Sequence, residues 1–150
     1  MAVTQIALPD WYEIAIGTPR LAGVHPALRA RVEWIIQAMA VLGVRMMVTS
    51  GVRTDAEQQA LYAQGRTTPG AIVTQLDGGM RRSNHQTRLA GPHAGYGCAV
   101  DMAFVGPDGR PSWDEDQPWL LYGRMATALG LTWGGDWKTF KDKPHIELKG

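Results

Sequence analysis

The chain has 150 residues, of which 45% are hydrophobic, and its formal net charge is +1 at pH 7. This length and apolar fraction suit one hydrophobic core, so we expect a single domain over residues 1–150. The near-neutral charge excludes the basic surface of a nucleic-acid-binding protein or of a protein held on an anionic membrane. No apolar run approaches the roughly 18–20 residues of a membrane-spanning helix, so membrane insertion is not expected.

The N-terminal segment and the cysteine content both bear on where the protein is made. The segment MAVTQIALPDWYE lacks the basic and apolar regions of a secretory signal. Cys98 is the only cysteine, so no disulfide can form within the chain. Both features fit a protein made in a reducing compartment.

Several segments have the pattern of a helix. The clearest begins at Pro26, where apolar residues recur with helical spacing until Gly43 ends the pattern. Its buried face is predicted to consist of Leu28, Val32, Ile35, Ile36 and Met39. The predicted helices are Asp10–Ile16, Pro26–Leu42, a segment from Thr54 or Asp55 to about Ala63, and Gln117–Leu129.

Short apolar runs between these helices predict strands. They are Val44–Ser50, Cys98–Phe104, Leu131–Trp133 and Pro144–Leu148. The segment Thr67–Gly97 is rich in Gly, Ser, Thr, Asn and Pro, and a loop of that length inside a compact domain is usually functional. Helices placed early and late around a few short strands indicate an α+β fold.

One predicted strand, CAVDMAF, contains a carboxylate. Strand alternation puts Asp101 on one face with Ala99 and Ala103. A carboxylate in an apolar strand is costly to bury unless it is paired or binds a metal. The two alanines leave space beside it, so we interpret Asp101 as a functional residue.

Two histidines and a second carboxylate complete a candidate metal site. His85 lies in SNHQ within the long loop, and Asp142 and His145 lie in DKPH before the last strand. Each of these residues alone is equally compatible with a surface or turn position. Together with Asp101, the two imidazoles would hold zinc and leave its fourth position open for a water, whose proton Asp142 could accept. This combination predicts a zinc peptidase.

Arginine and tryptophan residues are candidates for substrate contacts. Arg53 follows a predicted buried strand, where its guanidinium could bind a substrate carboxylate or an oxyanion; a helix-capping or surface ion-pair role is the alternative. Most of the six tryptophans are assigned to the core, but Trp133 and Trp137 flank GGD and are predicted to wall a binding groove. Cys98 is interpreted as a small core residue.

Several motifs occur in a recognisable order over roughly residues 24–148. They are SGVRTDAEQQALYAQGRT, SNHQ, GYGCAVD and WGGDWKTFKDKPHIEL. In this order they resemble the zinc D,D- and L,D-peptidases that include VanY and VanX, and most closely the phage endolysins that are L-alanyl-D-glutamate peptidases. The resemblance implies a hedgehog/D-Ala-D-Ala-peptidase-like fold, in which helices flank a small central antiparallel sheet.

The resemblance also implies roles for individual residues. Asp142 would be the general base, and Arg53 would contact the substrate or stabilise the oxyanion. Gln58, at the glutamine of the family's QxxLY motif, would support substrate binding, and Trp137 is kept as a substrate-binding residue because of its position beside GGD. The implied zinc ligands are His85, Asp101 and His145.

The spacing of the first two ligands departs from the family pattern. His85 and Asp101 are 16 residues apart, which is farther than the family's usual spacing, so Thr87–Gly95 is interpreted as an insertion. The insertion carries His93, eight residues before Asp101. His85 is preferred because its flanking residues fit the motif and a loop can lengthen between two ligands without moving either. His93 remains the alternative ligand.

The implied substrate is the stem peptide of peptidoglycan, cut between L-Ala and D-Glu. A D-Ala-D-Ala carboxypeptidase needs the same ligands and is one alternative, and a non-catalytic zinc-binding or wall-binding module is another. The resemblance to phage endolysins implies a monomer that accumulates in the host cytoplasm and acts on the cell wall once the membrane is permeabilised. No nucleic-acid partner is expected.

Overall fold

The structure is a computed structural model that describes residues 10–150. The prediction about a secretory signal falls mainly on residues 1–9, which lie outside the described residues. The helices are α1 Asp10–Ile16, α2 Pro26–Val41, α3 Asp55–Ala63 and α4 Trp119–Ala128. The strands are β1 Met46–Ser50, β2 Ala99–Val105, β3 Pro111–Ser112, β4 Thr132–Trp133 and β5 His145–Glu147. Within the described part, no helix has the length and apolar character needed to cross a membrane.

The strands form one antiparallel sheet. Their order is β1-β2-β5-β4, and β3 pairs with the end of β2. Strand β2 therefore lies in the middle of the sheet, while α2 packs against α1, α4 and β1. The predicted α+β fold with a small antiparallel sheet is confirmed.

Helix α2 supplies one side of the core. His25 caps it, since its Nδ1 accepts the Ala27 N–H at 3.1 Å, and Pro26 occupies the first turn. Gly43 follows the helix with φ 77°, a left-handed conformation that favours glycine. The predicted apolar face is confirmed, because its members are fully buried: Leu28, Val32, Ile35, Ile36 and Met39.

The other elements form where they are predicted, with boundaries that local chemistry shifts. Helix α4 begins at Trp119 rather than Gln117, because a residue that precedes a proline disfavours the helical conformation. Strand β1 begins at Met46 rather than Val44, whose N–H instead donates to the Met39 carbonyl at 2.9 Å and closes α2. Strand β3 has no apolar pattern, which explains why it is absent from the prediction.

The long segment between α3 and β2 contains no helix and only isolated bridges, as predicted. Side chains nevertheless hold it in one conformation. Gln86 accepts the Ser83 N–H and donates to the Asp55 carboxylate, both at 2.9 Å. These bonds on either side of His85 fix the part of the loop that carries it, as a ligand position requires.

Candidate active site

Two of the candidate ligands are neighbours on adjacent strands. Asp101 on β2 lies opposite His145 on β5 in antiparallel register, so both side chains project from the same face of the sheet. The residues that alternate with them, Val100 and Ile146, lie in the core. Strand pairing alone therefore brings together two residues that are far apart in the sequence.

His85 reaches this pair from the long loop. Its backbone carbonyl accepts the Arg53 N–H at 2.9 Å, and its ring Nδ1–H donates to the Gly51 carbonyl at 2.8 Å. Gly51 has no room for a side chain, since a Cβ there would lie 1.9 Å from the Arg20 carbonyl oxygen. Close packing after β1 thus orients the ring so that Nε2 faces Asp101.

The three candidate ligand atoms form an equilateral triangle. His85 Nε2, His145 Nδ1 and Asp101 Oδ1 are 3.3 Å apart in each pair. Two ligands bound at about 2.0–2.1 Å to a tetrahedral ion are separated by about 3.3–3.4 Å. The triangle therefore has the dimensions of one face of a tetrahedral metal site, and all three residues line the same cleft.

The outer hydrogen bonds of the imidazoles direct both lone pairs into the triangle. His85 donates from Nδ1 to a carbonyl, and His145 donates from Nε2 to the Glu147 carboxylate at 2.8 Å. In the neutral rings, the facing nitrogens carry lone pairs. Asp101 Oδ1 is buried and, among the described residues, no donor is oriented to bond it. Since lone pairs that face one another repel unless a cation lies between them, this donor set fits a metal ion.

The same contacts shift the pKa values of the buried ligands. Burial favours the neutral form of Asp101, but the imidazoles of His145 and His85 outweigh it and hold the carboxyl pKa well below its ordinary value. Burial lowers the pKa of His145, but Asp101 and Glu147 outweigh it and raise the pKa to about 9. At neutral pH the metal-free His145 is therefore protonated, and a metal ion must displace that proton.

Asp142 lies beside the triangle without belonging to it. Its Oδ2 is 4.0 Å from His145 Nδ1, and 40% of its side chain is exposed. Burial, together with the charge of Asp101, raises the pKa of Asp142, which suits a group that accepts and returns a proton. Gly134 fixes its backbone: the Asp142 N–H donates to the Gly134 carbonyl at 3.0 Å, and a Cβ on Gly134 would lie 2.3 Å from the Asp142 carbonyl oxygen.

Arg53 lines the cleft and is held from two sides. Its Nη2 donates to Asp101 Oδ2 at 3.0 Å and its Nη1 to Gln58 Oε1 at 3.2 Å. Gln58 is fully buried and donates to the Leu76 carbonyl at 2.9 Å. Gln58 has no exposed surface, so the supporting role predicted for it in substrate binding would act through Arg53.

A cleft of about 410 Å³ opens over the triangle. Trp137 lies on its wall, with its ring centroid 5.0 Å from that of His145. Trp133 does not, because it is 6% exposed and donates from Nε1 to the Lys143 carbonyl at 2.7 Å, so the prediction that it walls the groove is wrong. The apolar members of the wall are Leu61, Val73, Leu76, Trp137 and Phe140.

His93 lies away from the triangle. Its Nδ1 is 3.1 Å from Nε2 of His25, the residue that caps α2. Among the side chains of residues 10–150, the one group that could hold a metal ion consists of His85, Asp101 and His145. The geometry therefore favours His85 over His93 as the first ligand.

Glu147 is a candidate functional residue that the sequence analysis does not single out. It follows His145 by two positions on β5, so the two side chains share a face. It accepts hydrogen bonds from His145 at 2.8 Å and from Asn84 at 2.9 Å. Burial raises the pKa of Glu147, but these two donors outweigh burial and lower it. In the sequence, the one feature that points to Glu147 is its position in PHIEL, two residues after the candidate ligand His145.

Comparison with known proteins identifies the family. The chain is 36% identical over 138 residues to the peptidoglycan L-alanyl-D-glutamate endopeptidase CwlK of Bacillus subtilis, which covers 87% of this chain and 76% of that protein. The chain belongs to the M15 peptidase family. An M15 family profile described as D-alanyl-D-alanine carboxypeptidase matches residues 77–148 of this M15 peptidase, a range that contains the triangle and Asp142 but not Arg53.

Solved structures with a similar fold include other peptidases. The L-Ala D-Glu endopeptidase ChiX of Serratia marcescens matches this M15 peptidase with a TM-score of 0.56 and 30% identity, over 87% of this chain and 84% of that one. The vancomycin resistance D,D-dipeptidase VanXYg has a TM-score of 0.57 and 20% identity, over 85% and 51% of the two chains. The LD-carboxypeptidase LdcB has a TM-score of 0.57 and 22% identity, over 86% and 67%. The last two likenesses concern the fold alone.

Proposed function

We propose that this M15 peptidase is a zinc-dependent peptidoglycan hydrolase that cuts the bond between L-Ala and D-Glu of the stem peptide. CwlK and ChiX, of which the chain covers 76% and 84%, are both named for cleavage of that bond. The observation that carries the proposal is the triangle of two imidazole nitrogens and a carboxylate oxygen, which lies at the base of an open cleft.

The ligand set favours zinc over other divalent ions. Two imidazoles and one carboxylate are a common donor set for catalytic zinc, whereas magnesium and calcium prefer oxygen donors. His85, Asp101 and His145 would hold the ion. When bound, zinc would lower the pKa of a water ligand to about 7, and the ion would also polarise the scissile carbonyl.

Asp142 is the proposed general base. Its partly exposed carboxylate lies beside the triangle and faces the cleft. There it can accept a proton from the attacking water and return that proton to the nitrogen of the leaving D-Glu as the C–N bond breaks. The raised pKa of Asp142 brings its proton affinity closer to that of the groups with which it exchanges the proton.

Arg53 is proposed to stabilise the negative charge that develops on the carbonyl oxygen. A guanidinium has five N–H donors, so bonds to Asp101 and Gln58 leave others free on a group that lines the cleft. Because these bonds hold Arg53 before substrate arrives, little reorganisation is needed during the reaction. Trp137, which lines the same cleft, would support the substrate.

Identification of the products tests which bond is cut. Zinc-loaded protein should release peptides that begin with D-Glu from purified muropeptides and leave L-Ala on the glycan, as mass spectrometry can show. Loss of a single terminal D-Ala would identify a D-Ala-D-Ala carboxypeptidase, the second candidate, which the family description favours. Cleavage that persists after chelation would reject the zinc mechanism. If no bond is cut at all, the protein would instead be a non-catalytic zinc-binding or wall-binding module.

We also propose that the protein is a phage endolysin that works as a monomer, is made in the host cytoplasm and reaches the wall after membrane permeabilisation. The resemblance of its motifs to phage endolysins supports this role. Expression in a bacterial host should cause lysis only when a holin or another permeabilising agent is present. Lysis without permeabilisation, or a dimer in size-exclusion chromatography, would contradict the respective part of this proposal.

A further inference from the structure

One residue of the Thr87–Gly95 insertion is connected to the metal site by hydrogen bonds. Arg88 Nη2 donates to Asn84 Oδ1 at 3.3 Å, and Asn84 Nδ2 donates to Glu147 Oε2 at 2.9 Å. The same oxygen of Glu147 accepts the Nε2–H of His145 at 2.8 Å. A continuous chain of polar contacts therefore runs from the insertion to a candidate zinc ligand.

We infer that Glu147 is a positioning residue for His145 and that Asn84 and Arg88 hold Glu147 in place for this purpose. The inference rests on the proposed function, because it concerns the same metal site. A neutral imidazole carries one proton, and an acceptor at Nε2 keeps that proton away from Nδ1. Without Glu147 the ring could adopt the other tautomer or rotate, and Nδ1 would offer no lone pair to the metal.

Arg88 and Glu147 set the orientation of the Asn84 amide from its two sides. A guanidinium can only donate, so it requires the amide oxygen of Asn84 on its own side. The amide nitrogen is then left to face Glu147, where it supplies a donor. The Asn84 backbone is fixed as well, since its carbonyl accepts the Cys98 N–H at 2.8 Å. With the opposite amide orientation, two acceptor oxygens would face each other and Glu147 would be displaced.

The other end of the insertion has a separate anchor. His93 contacts His25 at the start of α2, at 3.1 Å between ring nitrogens. A backbone hydrogen bond closes the insertion, since the Gly95 N–H donates to the Arg88 carbonyl at 2.8 Å. His93→Ala removes the contact with His25 but none of the side-chain hydrogen bonds that lead from Arg88 to His145. It serves as a matched control for Arg88→Ala.

Zinc affinity of the full chain, measured by competition with a chromophoric chelator, tests the inference. Glu147→Ala should weaken binding about 10–100-fold, the usual effect of losing a partner behind a metal ligand. Glu147→Gln should lose less zinc affinity than Glu147→Ala, because the amide oxygen of glutamine can still accept a hydrogen bond from His145. Asn84→Ala and Arg88→Ala should follow with progressively smaller losses. His93→Ala should bind zinc as tightly as the wild type.

The outcomes separate this inference from the proposed function. Failure of the wild type to bind zinc would reject both. Zinc binding by the wild type with unchanged affinity in Glu147→Ala would overturn the inference and leave the proposed function standing. Equal weakening by Arg88→Ala and His93→Ala would remove Arg88 from the chain. Thermal unfolding of the metal-free variants completes the test, since a purely structural Glu147 would lower their Tm without changing the zinc affinity of the folded protein.

Discussion

The four histidines of this chain form two pairs with similar geometry and different chemistry. The facing ring nitrogens are 3.3 Å apart in one pair and 3.1 Å apart in the other. The ring centroids are separated by 5.1 Å and 4.5 Å, and both pairs meet edge to face. The pairs are His85 with His145, in the triangle, and His25 with His93, at the start of α2.

The positions of the ring protons distinguish the two pairs. His25 Nδ1 accepts the Ala27 N–H, so its Nε2 carries a proton that it donates to His93 Nδ1. That pair is satisfied without a cation. In the triangle the neutral rings have both protons pointing outward, so that two lone pairs face each other and a buried carboxylate oxygen. The comparison teaches that outer hydrogen bonds and a third potential ligand, rather than the proximity of two histidines, distinguish the candidate metal site.

The largest expected effect on activity comes from removing one histidine of the triangle, and the same substitution in the other pair is its control. His85→Ala should lose bound zinc and lower kcat/KM by on the order of 10⁴-fold or more, since the ion supplies several kcal/mol of transition-state stabilisation. His93→Ala should keep both properties. Metal analysis beside muropeptide kinetics would decide, and zinc loss in His93→Ala alone would reverse the assignment of the two pairs.

A smaller loss of activity is expected when the three candidate ligands are kept and the proposed general base is removed. Asp142→Asn should retain zinc and lower kcat by about 10²–10⁴-fold, the usual contribution of a general base. The change preserves the shape of the side chain, so a folding defect is not expected, and the circular dichroism spectrum should match the wild type. Near wild-type turnover in this variant would remove Asp142 from the mechanism.

The arginine beside the triangle should contribute somewhat less. Arg53→Ala should lower kcat by about 10²–10³-fold, as the loss of one preorganised oxyanion donor does. Steady-state kinetics that separate kcat from KM would show this, with Gln58→Ala as the companion variant. Gln58→Ala should show a smaller loss in kcat, because it only loosens Arg53. A change confined to KM in Arg53→Ala would indicate a substrate-binding role instead.

The smallest effect concerns pH and the metal-free protein. His145 has its pKa raised from 6.5 to about 9 in the folded state, so its protonation stabilises the fold fully below pH 6.5. This contribution is lost as pH rises through about 9 and amounts to at most about 3–4 kcal/mol at roughly 1.4 kcal/mol per pKa unit. Chemical denaturation of metal-free protein between these pH values should show declining stability. Zinc-loaded protein should not decline, and a flat metal-free profile would contradict the prediction.

Local patterns in the sequence predict most of the fold. The buried face of α2 and the start of α3 at Thr54 or Asp55 are predicted correctly, because helical spacing and capping depend on residues within a few positions of one another. Asp101 stands out for a similar reason, since a carboxylate in an apolar strand is anomalous in its own neighbourhood. The order of the motifs is enough to predict the peptidase family, and the 36% identity to CwlK confirms that prediction.

Other residues take their roles from partners that are distant in the sequence. Gln58 and Trp133 resemble site residues by position, yet both are buried, one against Arg53 and the other beneath the Lys143 carbonyl. Glu147 draws no notice in the sequence, although it bonds a candidate ligand. No local pattern encodes such contacts, because each depends on how several elements pack together.

By itself, the sequence determined the four helices, the strands other than β3, the family and a short set of candidate ligands. Only the tertiary structure shows that His85 rather than His93 lies beside Asp101, since both belong to the same irregular loop and either could reach Asp101 by sequence alone. The deciding factor is physical. Packing against Gly51 turns the His85 ring toward the carboxylate, whereas the contact with His25 draws the His93 ring toward α2.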